Sequence, residues 1–240
     1  MKSKLLMFTF FITAITVFGN YTVCSGAGIF EKLGLFRSTS LSDTKIAGGL
    51  KDALKVAVDN AVKLTGKENG FLKNEAIKIL LPEKIQLVEK GLRVIGAGPA
   101  IDEFVLSMNR AAEHAVPQAE SIFIDAIMKL TFDDVMGIYK GSETAATDYF
   151  KRTTHDNLVE AFLPAARTTM DKYSVTQQYN SLLDRYKKIP LSQNVPVPEI
   201  DRYVVEKTID GLFYVMAQQE RKIRTDPSAR VTDLLKEIFK

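Results

Sequence analysis

The chain has 240 residues, of which 46% are hydrophobic and 25% are charged, so its composition is that of a globular protein and excludes a disordered one. The formal net charge at pH 7 is +3, and Lys2 and Lys4 at the N-terminus contribute two of these charges. Acidic and basic residues are interspersed along the rest of the chain, without the basic patch of a nucleic-acid-binding protein. We therefore predict no nucleic-acid partner.

The N-terminus has the pattern of an export signal. Two lysines precede an apolar run over residues 5–18, which is too short for a transmembrane span, and the small residues 25–27 follow it. We predict a signal peptide over residues 1–27 and a tether over residues 28–40. The predicted location of the mature protein is the periplasm, with no transmembrane span.

The fate of the single cysteine depends on where this signal ends. Cleavage after residue 27 would remove Cys24 and leave no thiolate nucleophile, disulfide or cysteine metal ligand. The alternative is a membrane-anchored lipoprotein that carries its lipid on Cys24. Val23 argues against it, because a smaller residue usually precedes a lipidated cysteine.

From residue 41 onward, apolar residues recur at steps of three and four, which predicts helices. The first predicted helix has Ser42 as its N-cap and ends at Gly66. Pro82 suits the first turn of a second amphipathic helix. Both helices have one apolar stripe, as expected for elements that pack around a shared core.

Residues 94–100, VIGAGPA, are similar to the glycine-rich turn of dinucleotide-binding proteins. That fingerprint needs a third glycine at position 101, which here is Ile101, and a strand before the first glycine. The residues before Gly96 instead have helical spacing, and Pro99 can open another helix. We predict a junction between two helices at which Gly98 needs the conformational freedom of glycine, and no cofactor.

Proline and capping residues divide the next part of the chain. Pro117 is expected to kink or divide the helix that follows Pro99. Thr131 and Asp134 have the spacing of a capping pair, and Gly141 can end the helix that they open.

The last third is also predicted to be helical. Helices are expected over residues 155–173 and 175–188, then a proline-rich loop near residues 189–199, and then a C-terminal helical pair whose last member is opened by Asp226 and Pro227. No segment has sustained strand alternation. The predicted fold is therefore all-α, a single-domain multi-helix bundle over residues 41–240.

Several segments together resemble one bacterial family, domain-of-unknown-function family 4197. The similarity extends over essentially all of Leu41 to Phe239 and includes LSDTKIAGGLKDALKVAVDNAV, LPEKIQLVEKGLRVIGAG, EFVLSMNRAAEHAVP, TDYFKRTT, VTQQY, DGLFYVMAQQERKIR and TDLLKEIF. The resemblance implies an all-helical protein exported to the envelope of a Gram-negative bacterium. It implies no activity, so no catalytic residue is carried over from it.

The sequence contains few residues that bind transition metals. Its two histidines, His114 and His155, do not form an HExxH motif, and neither has a second histidine one helical turn away. Serine nucleophile elbows, P-loops and EF-hand loops are also absent from the sequence. We predict no metal site.

The most informative polar residues lie on the predicted helix after Pro99. Asp102, Asn109 and Glu113 are close together on that helix, beside an apolar stripe that suggests a central position. Candidate charge partners are Arg110, Arg152 and Arg167. The structural interpretation is a buried network that fixes helix register, or a solvated flank. The functional one is a binding site made of Asp102, Asn109, Arg110, Glu113 and Arg152.

These observations favour a non-enzymatic envelope protein that binds a partner protein or an apolar small molecule between its helices. One alternative is a hydrolase or lyase that uses Asp102 and Glu113 as acid and base. Another is a purely structural envelope protein. A pocket beside these carboxylates, with a pKa shifted toward neutrality, would favour the enzyme.

Overall fold

A computed structural model describes residues 43–187, 199–230 and 232–239. The predicted signal peptide and tether, Cys24, the N-cap Ser42 and nearly all of the proline-rich loop lie outside the described residues. The described residues all belong to the helical unit that begins at Leu41.

The described residues are helical throughout their regular elements, which confirms the predicted all-α fold. The α-helices are α1 (Asp43–Gly66), α2 (Glu83–Leu92), α3 (Gly98–Ala115), α4 (Ala119–Lys129), α5 (Phe132–Lys140), α6 (Ala145–Lys172), α7 (Val175–Lys187), α8 (Ile200–Thr225) and α9 (Asp233–Ile238). Residues 67–82, the α1–α2 connection, join the first two helices without a long helix of their own.

The larger of two hydrophobic clusters in the described residues joins the long helices. Helix α6 packs against α8 and α3, and α8 also packs against α1. The core includes fully buried phenylalanines, and Phe123 meets Phe150 and Phe213 edge to face, with ring centroids 5.5 and 5.8 Å apart. Helix α3 contributes buried residues on several sides, including Ile101 and Met108, as expected for a central helix.

The VIGAGPA segment is a junction between helices, as predicted. A π-helical turn, Arg93–Ala97, joins α2 to α3. Gly96 has φ of 88°, in the left-handed region that favours glycine. The prediction that Gly98 needs glycine is wrong, because its φ of −50° is helical. A Cβ there would meet only Arg93 Nη1, at 3.6 Å.

The predicted divisions around α4 and α5 are confirmed. A 3₁₀ turn, Val116–Gln118, separates α3 from α4 at the proline. At the start of α5, Thr131 Oγ1 accepts a hydrogen bond from the Asp134 N–H at 3.2 Å, and Asp134 Oδ2 accepts one from the Thr131 N–H at 3.0 Å. This reciprocal pair is a capping box. Gly141 ends the helix.

Two predicted boundaries are wrong. A helix was expected to begin at residue 155, whereas α6 runs unbroken over Ala145–Lys172 and includes Pro164. The Thr154 hydroxyl donates to the Phe150 carbonyl within this helix at 2.7 Å, so the polar residues near the expected boundary remain helical. At the other end, Pro227 opens only a 3₁₀ turn, and Thr232 caps α9.

Candidate functional site

Asn109 on α3 is fully buried and binds the α1–α2 connection. Its Oδ1 accepts a hydrogen bond from the Ile79 N–H at 2.9 Å, and its Nδ2 donates to the Ile79 carbonyl at 2.8 Å. The same amide donates to the Val105 carbonyl at 2.7 Å. A buried backbone group needs a partner, and one side chain therefore satisfies both backbone groups of Ile79.

Glu113, one turn further along α3, is buried and binds the same connection. Its Oε1 accepts hydrogen bonds from the N–H groups of Phe71 and Leu72, both at 3.1 Å, and its Oε2 accepts one from Arg110 Nη1. Arg110 Nη2 donates onward to Asn69 Oδ1 at 3.0 Å. The carboxylate is thus compensated by one guanidinium and two backbone donors, so its buried charge has the partners that it needs.

Asp102 lies apart from this network. It is exposed, and its carboxylate accepts a hydrogen bond from Arg93 Nη2 at 2.7 Å. This hydrogen bond lowers the pKa of Asp102 below its ordinary value. Asp102 and Glu113 are eleven residues apart on one helix, about 16 Å along its axis. They therefore do not form an acid–base pair around a shared substrate.

The other two candidate arginines also lie elsewhere. The Arg152 guanidinium stacks over the Tyr149 ring, 5.5 Å from its centroid. Arg167 Nε donates to Asp201 Oδ2 at 2.8 Å in an exposed pair that joins α6 to α8. Of the five predicted binding residues, the structure brings together Asn109, Arg110 and Glu113 and separates Asp102 and Arg152 from them.

A second buried carboxylate, Glu220 on α8, was not predicted from the sequence. Its Oε1 and Oε2 accept hydrogen bonds from the N–H groups of Ala146 and Thr147 at 3.0 and 2.9 Å, at the start of α6. Arg224 compensates its charge through Nη2 at 2.9 Å and also donates to the Ile138 carbonyl at 2.8 Å. The spacing of four between Glu220 and Arg224 could have indicated this ion pair. The same spacing is also typical of an exposed pair on a helix.

His155 joins α6 to α8 at the surface. Its Nδ1 lies 3.2 Å from Asp156 Oδ1, and its Nε2 lies 3.1 Å from Glu206 Oε2, while Arg202 approaches the same glutamate at 3.7 Å. The hydrogen bond to Asp156, followed by that to Glu206, raises the pKa of His155 above its ordinary value. His114 is exposed and lines a cavity of about 420 Å³ together with Glu113.

A concave surface, which we call the main groove, lies between the α1–α2 connection and the outer face of α8. Its volume is about 730 Å³, and its apolar walls include Ile77, Leu80, Tyr203 and Tyr214. Leu80 and Tyr214 are 50% and 46% exposed and lie in the same groove. The groove therefore presents apolar surface that the fold leaves uncovered.

Two lysines and two acids line the same groove: Lys78, Lys207, Glu83 and Asp210. Among the described residues, none of these four groups has an oppositely charged partner within 4.0 Å. Lys207 Nζ lies 6.0 Å from the Tyr203 ring centroid. The groove thus combines apolar walls with unpaired charges of both signs.

Tyr203 fixes one end of the groove. Its hydroxyl donates to the Leu80 carbonyl at 3.0 Å and so ties α8 to the α1–α2 connection. Burial, together with the nearby charge of Glu83, raises the pKa of Tyr203 to about 12, so this hydroxyl keeps its proton at neutral pH.

The floor of the groove depends on Gly211 in α8. A Cβ at this position would lie 2.6 Å from Phe71 Cε1 and 3.1 Å from Ile77 Cβ. Only glycine lets the helix approach the connection this closely without displacing it.

The part of the chain that the structure describes has neither a metal-ligand cluster nor a membrane-spanning helix. No group of three or more histidine, cysteine, aspartate and glutamate residues in this part of the chain is arranged to hold a metal ion. No helix in the described ranges is both long and apolar enough to cross a membrane.

The fold and site define an all-α protein with a polar network inside and an open, partly apolar groove outside. The profile of the family described as "Protein of unknown function (DUF4197)" matches residues 40–240, so the chain belongs to that family and the resemblance noted in its sequence is confirmed. No curated protein and no solved structure matches the chain.

Proposed function

We propose that this is an exported binding protein that takes a small amphipathic molecule with a zwitterionic head into the main groove. The observation that carries the proposal is a groove of about 730 Å³ with apolar walls and unpaired charges of both signs. That volume falls within the range of small-molecule sites, roughly 300 to 1,000 Å³.

The head of the ligand is inferred from the charges. Lys78 and Lys207 can donate hydrogen bonds to an anionic group such as a phosphate. Glu83 and Tyr203 are close enough for the glutamate charge to affect the tyrosine pKa, and an acid beside an aromatic ring suits an ammonium group. A ligand with both charges satisfies more of these groups than one with a single charge.

The tail of the ligand is inferred from the exposed apolar side chains. Leu80 and Tyr214 line the groove, and burying apolar ligand surface against them contributes roughly 25 cal/mol per Å². Export is proposed from the N-terminal sequence pattern over residues 1–27. An envelope protein would meet amphipathic molecules at a membrane surface.

The test is calorimetric titration of the purified protein with dodecylphosphocholine, below the concentration at which it forms micelles. Dodecyl phosphate and dodecyltrimethylammonium have the same tail and carry charge of one sign only, negative and positive respectively. We expect the zwitterion to bind more tightly than either. Saturable binding of none of the three, or equal binding of dodecanol, would overturn the proposal.

A lysine variant tests the charge contact. Lys207→Met should weaken dodecylphosphocholine binding by about two- to fivefold, the range for a partly exposed charge pair. The matched control is Lys129→Met, which changes an exposed lysine outside the groove and should leave the affinity unchanged.

The export proposal has its own measurement. The intact mass of protein recovered from its native host should lack the first 27 residues. Retention of Met1 would contradict export by cleavage, and a mass that includes Cys24 with acyl chains would support the lipoprotein alternative.

A further inference from the structure

A second cavity adjoins the main groove. Its volume is about 480 Å³, and its lining combines the apolar side chains of Leu64, Tyr214 and Val215 with polar ones that include Asn69, Lys73 and Gln218. Tyr214 lines both cavities, so its side chain lies where they meet. Leu64 is also an exposed apolar side chain, and it offers further apolar contact beyond the tyrosine.

The two cavities follow one another along the axis of α8, as the spacing of their lining residues shows. Tyr203, Lys207, Asp210 and Tyr214 line the main groove at steps of four, three and four residues, and Gln218 continues the same stripe into the second cavity. At 1.5 Å per residue, Tyr203 and Tyr214 are about 16 Å apart along the helix axis, and Gln218 is about 6 Å further on.

We propose that Tyr214 limits the length of the ligand's tail, an inference that rests on the proposed function. The head occupies the Tyr203 end, where Glu83 and Lys207 are close to the ring. A tail that extends from there along α8 reaches Tyr214 after about 16 Å. A longer tail meets the tyrosine ring and cannot enter the second cavity while the ring stays in place.

Removing the ring should join the two cavities. In Tyr214→Ala, a long tail can continue past the alanine to Leu64, and each additional methylene removed from water strengthens binding by about fourfold. Tyr214→Phe keeps the ring and should keep the wild-type length limit. Because Tyr214 is 46% exposed, its truncation should leave the fold intact.

The experiment measures the affinities of decyl-, dodecyl-, tetradecyl- and hexadecylphosphocholine for the wild type and both variants. At each tail length, the affinity of the variant is divided by the affinity of the wild type. The free energy of the tail in water is the same for both proteins, so it does not affect this ratio. We expect this ratio for Tyr214→Ala to rise at least tenfold from the shortest to the longest tail. For Tyr214→Phe it should stay constant.

A control variant shows whether the effect is specific to Tyr214, and the results distinguish failure of the length limit from failure of the proposed function. Tyr173→Ala removes a tyrosine that is 40% exposed and lines neither cavity, and it should not alter the length profile. If the wild type binds these ligands but the Tyr214→Ala ratio does not change with length, the length limit is refuted and the proposed function stands. If the wild type binds none of them, the proposed function itself is refuted.

Discussion

The buried carboxylate of Glu113 is predicted to hold the α1–α2 connection in place, and Glu113→Ala tests this. The substitution leaves the N–H groups of Phe71 and Leu72 without their acceptor and removes a charge partner of Arg110. Each buried donor left unsatisfied costs about 1 to 3 kcal/mol, and breaking a buried ion pair costs about 3 to 5 kcal/mol. These costs overlap, so we expect a loss of about 4 kcal/mol in the free energy of unfolding.

Urea denaturation followed by circular dichroism measures this loss, and a thermal melt should show a midpoint lowered by roughly 10 °C. Glu68→Ala is the matched control, because Glu68 pairs with the same Arg110 at 3.2 Å but is 78% exposed. That variant should lose less than about 1 kcal/mol. A loss of similar size in both variants, or a loss below about 1 kcal/mol in Glu113→Ala, would refute the structural role of the buried carboxylate.

Three further predictions follow from single sites. Glu220→Ala should lower the free energy of unfolding by about 3 to 5 kcal/mol, because the first N–H groups of α6 lose their acceptor and Arg224 loses its ion pair. A urea midpoint equal to that of the wild type would contradict this. Gly96→Ala should cost about 1 to 2 kcal/mol because of its left-handed φ, whereas Gly98→Ala in helical conformation should cost nothing measurable by the same method. His155 has a folded-state pKa above 6.5, so the stabilisation from its charged form is complete below about pH 6.5 and is lost as the pH rises through the folded-state pKa. The difference in unfolding free energy between wild type and His155→Phe should therefore shrink over that pH range. A difference that stays constant with pH would disprove this.

The parts of the fold that sequence predicted correctly depend on local interactions. The Thr131–Asp134 capping box needs only residues three apart, and Pro117 interrupts a helix through its own ring and missing N–H. The helical period likewise identified the apolar stripe of α3, but it left open whether Asn109 and Glu113 beside that stripe are buried or solvated.

The remaining features depend on contacts between segments distant in sequence. Glu220 binds N–H groups 73 and 74 residues earlier, and no local pattern distinguishes that contact from an exposed helical pair. The main groove forms only because α8 approaches the α1–α2 connection, which requires Gly211 to face Phe71. Which junction glycine adopts the left-handed conformation depends on the exact end of α2, and sequence gives helix ends only to within a few residues.

The polar residues of α3 and the main groove are linked through one layer of backbone. Asn109 binds Ile79, whose sequence neighbours Lys78 and Leu80 line the groove, and Glu113 binds the N–H of Phe71, whose ring underlies Gly211. From the sequence alone, these polar residues could form a buried network, a solvated flank or a binding site. In the structure they position the wall of the groove and do not line it.

A variant of α3 should therefore weaken ligand binding only as far as it displaces that wall, with a parallel loss of stability. Lys207→Met should weaken binding without such a loss, because its ammonium group has no ion pair to break among the described residues. Affinity and unfolding free energy measured on the same variants thus separate residues that contact the ligand from residues that hold the wall.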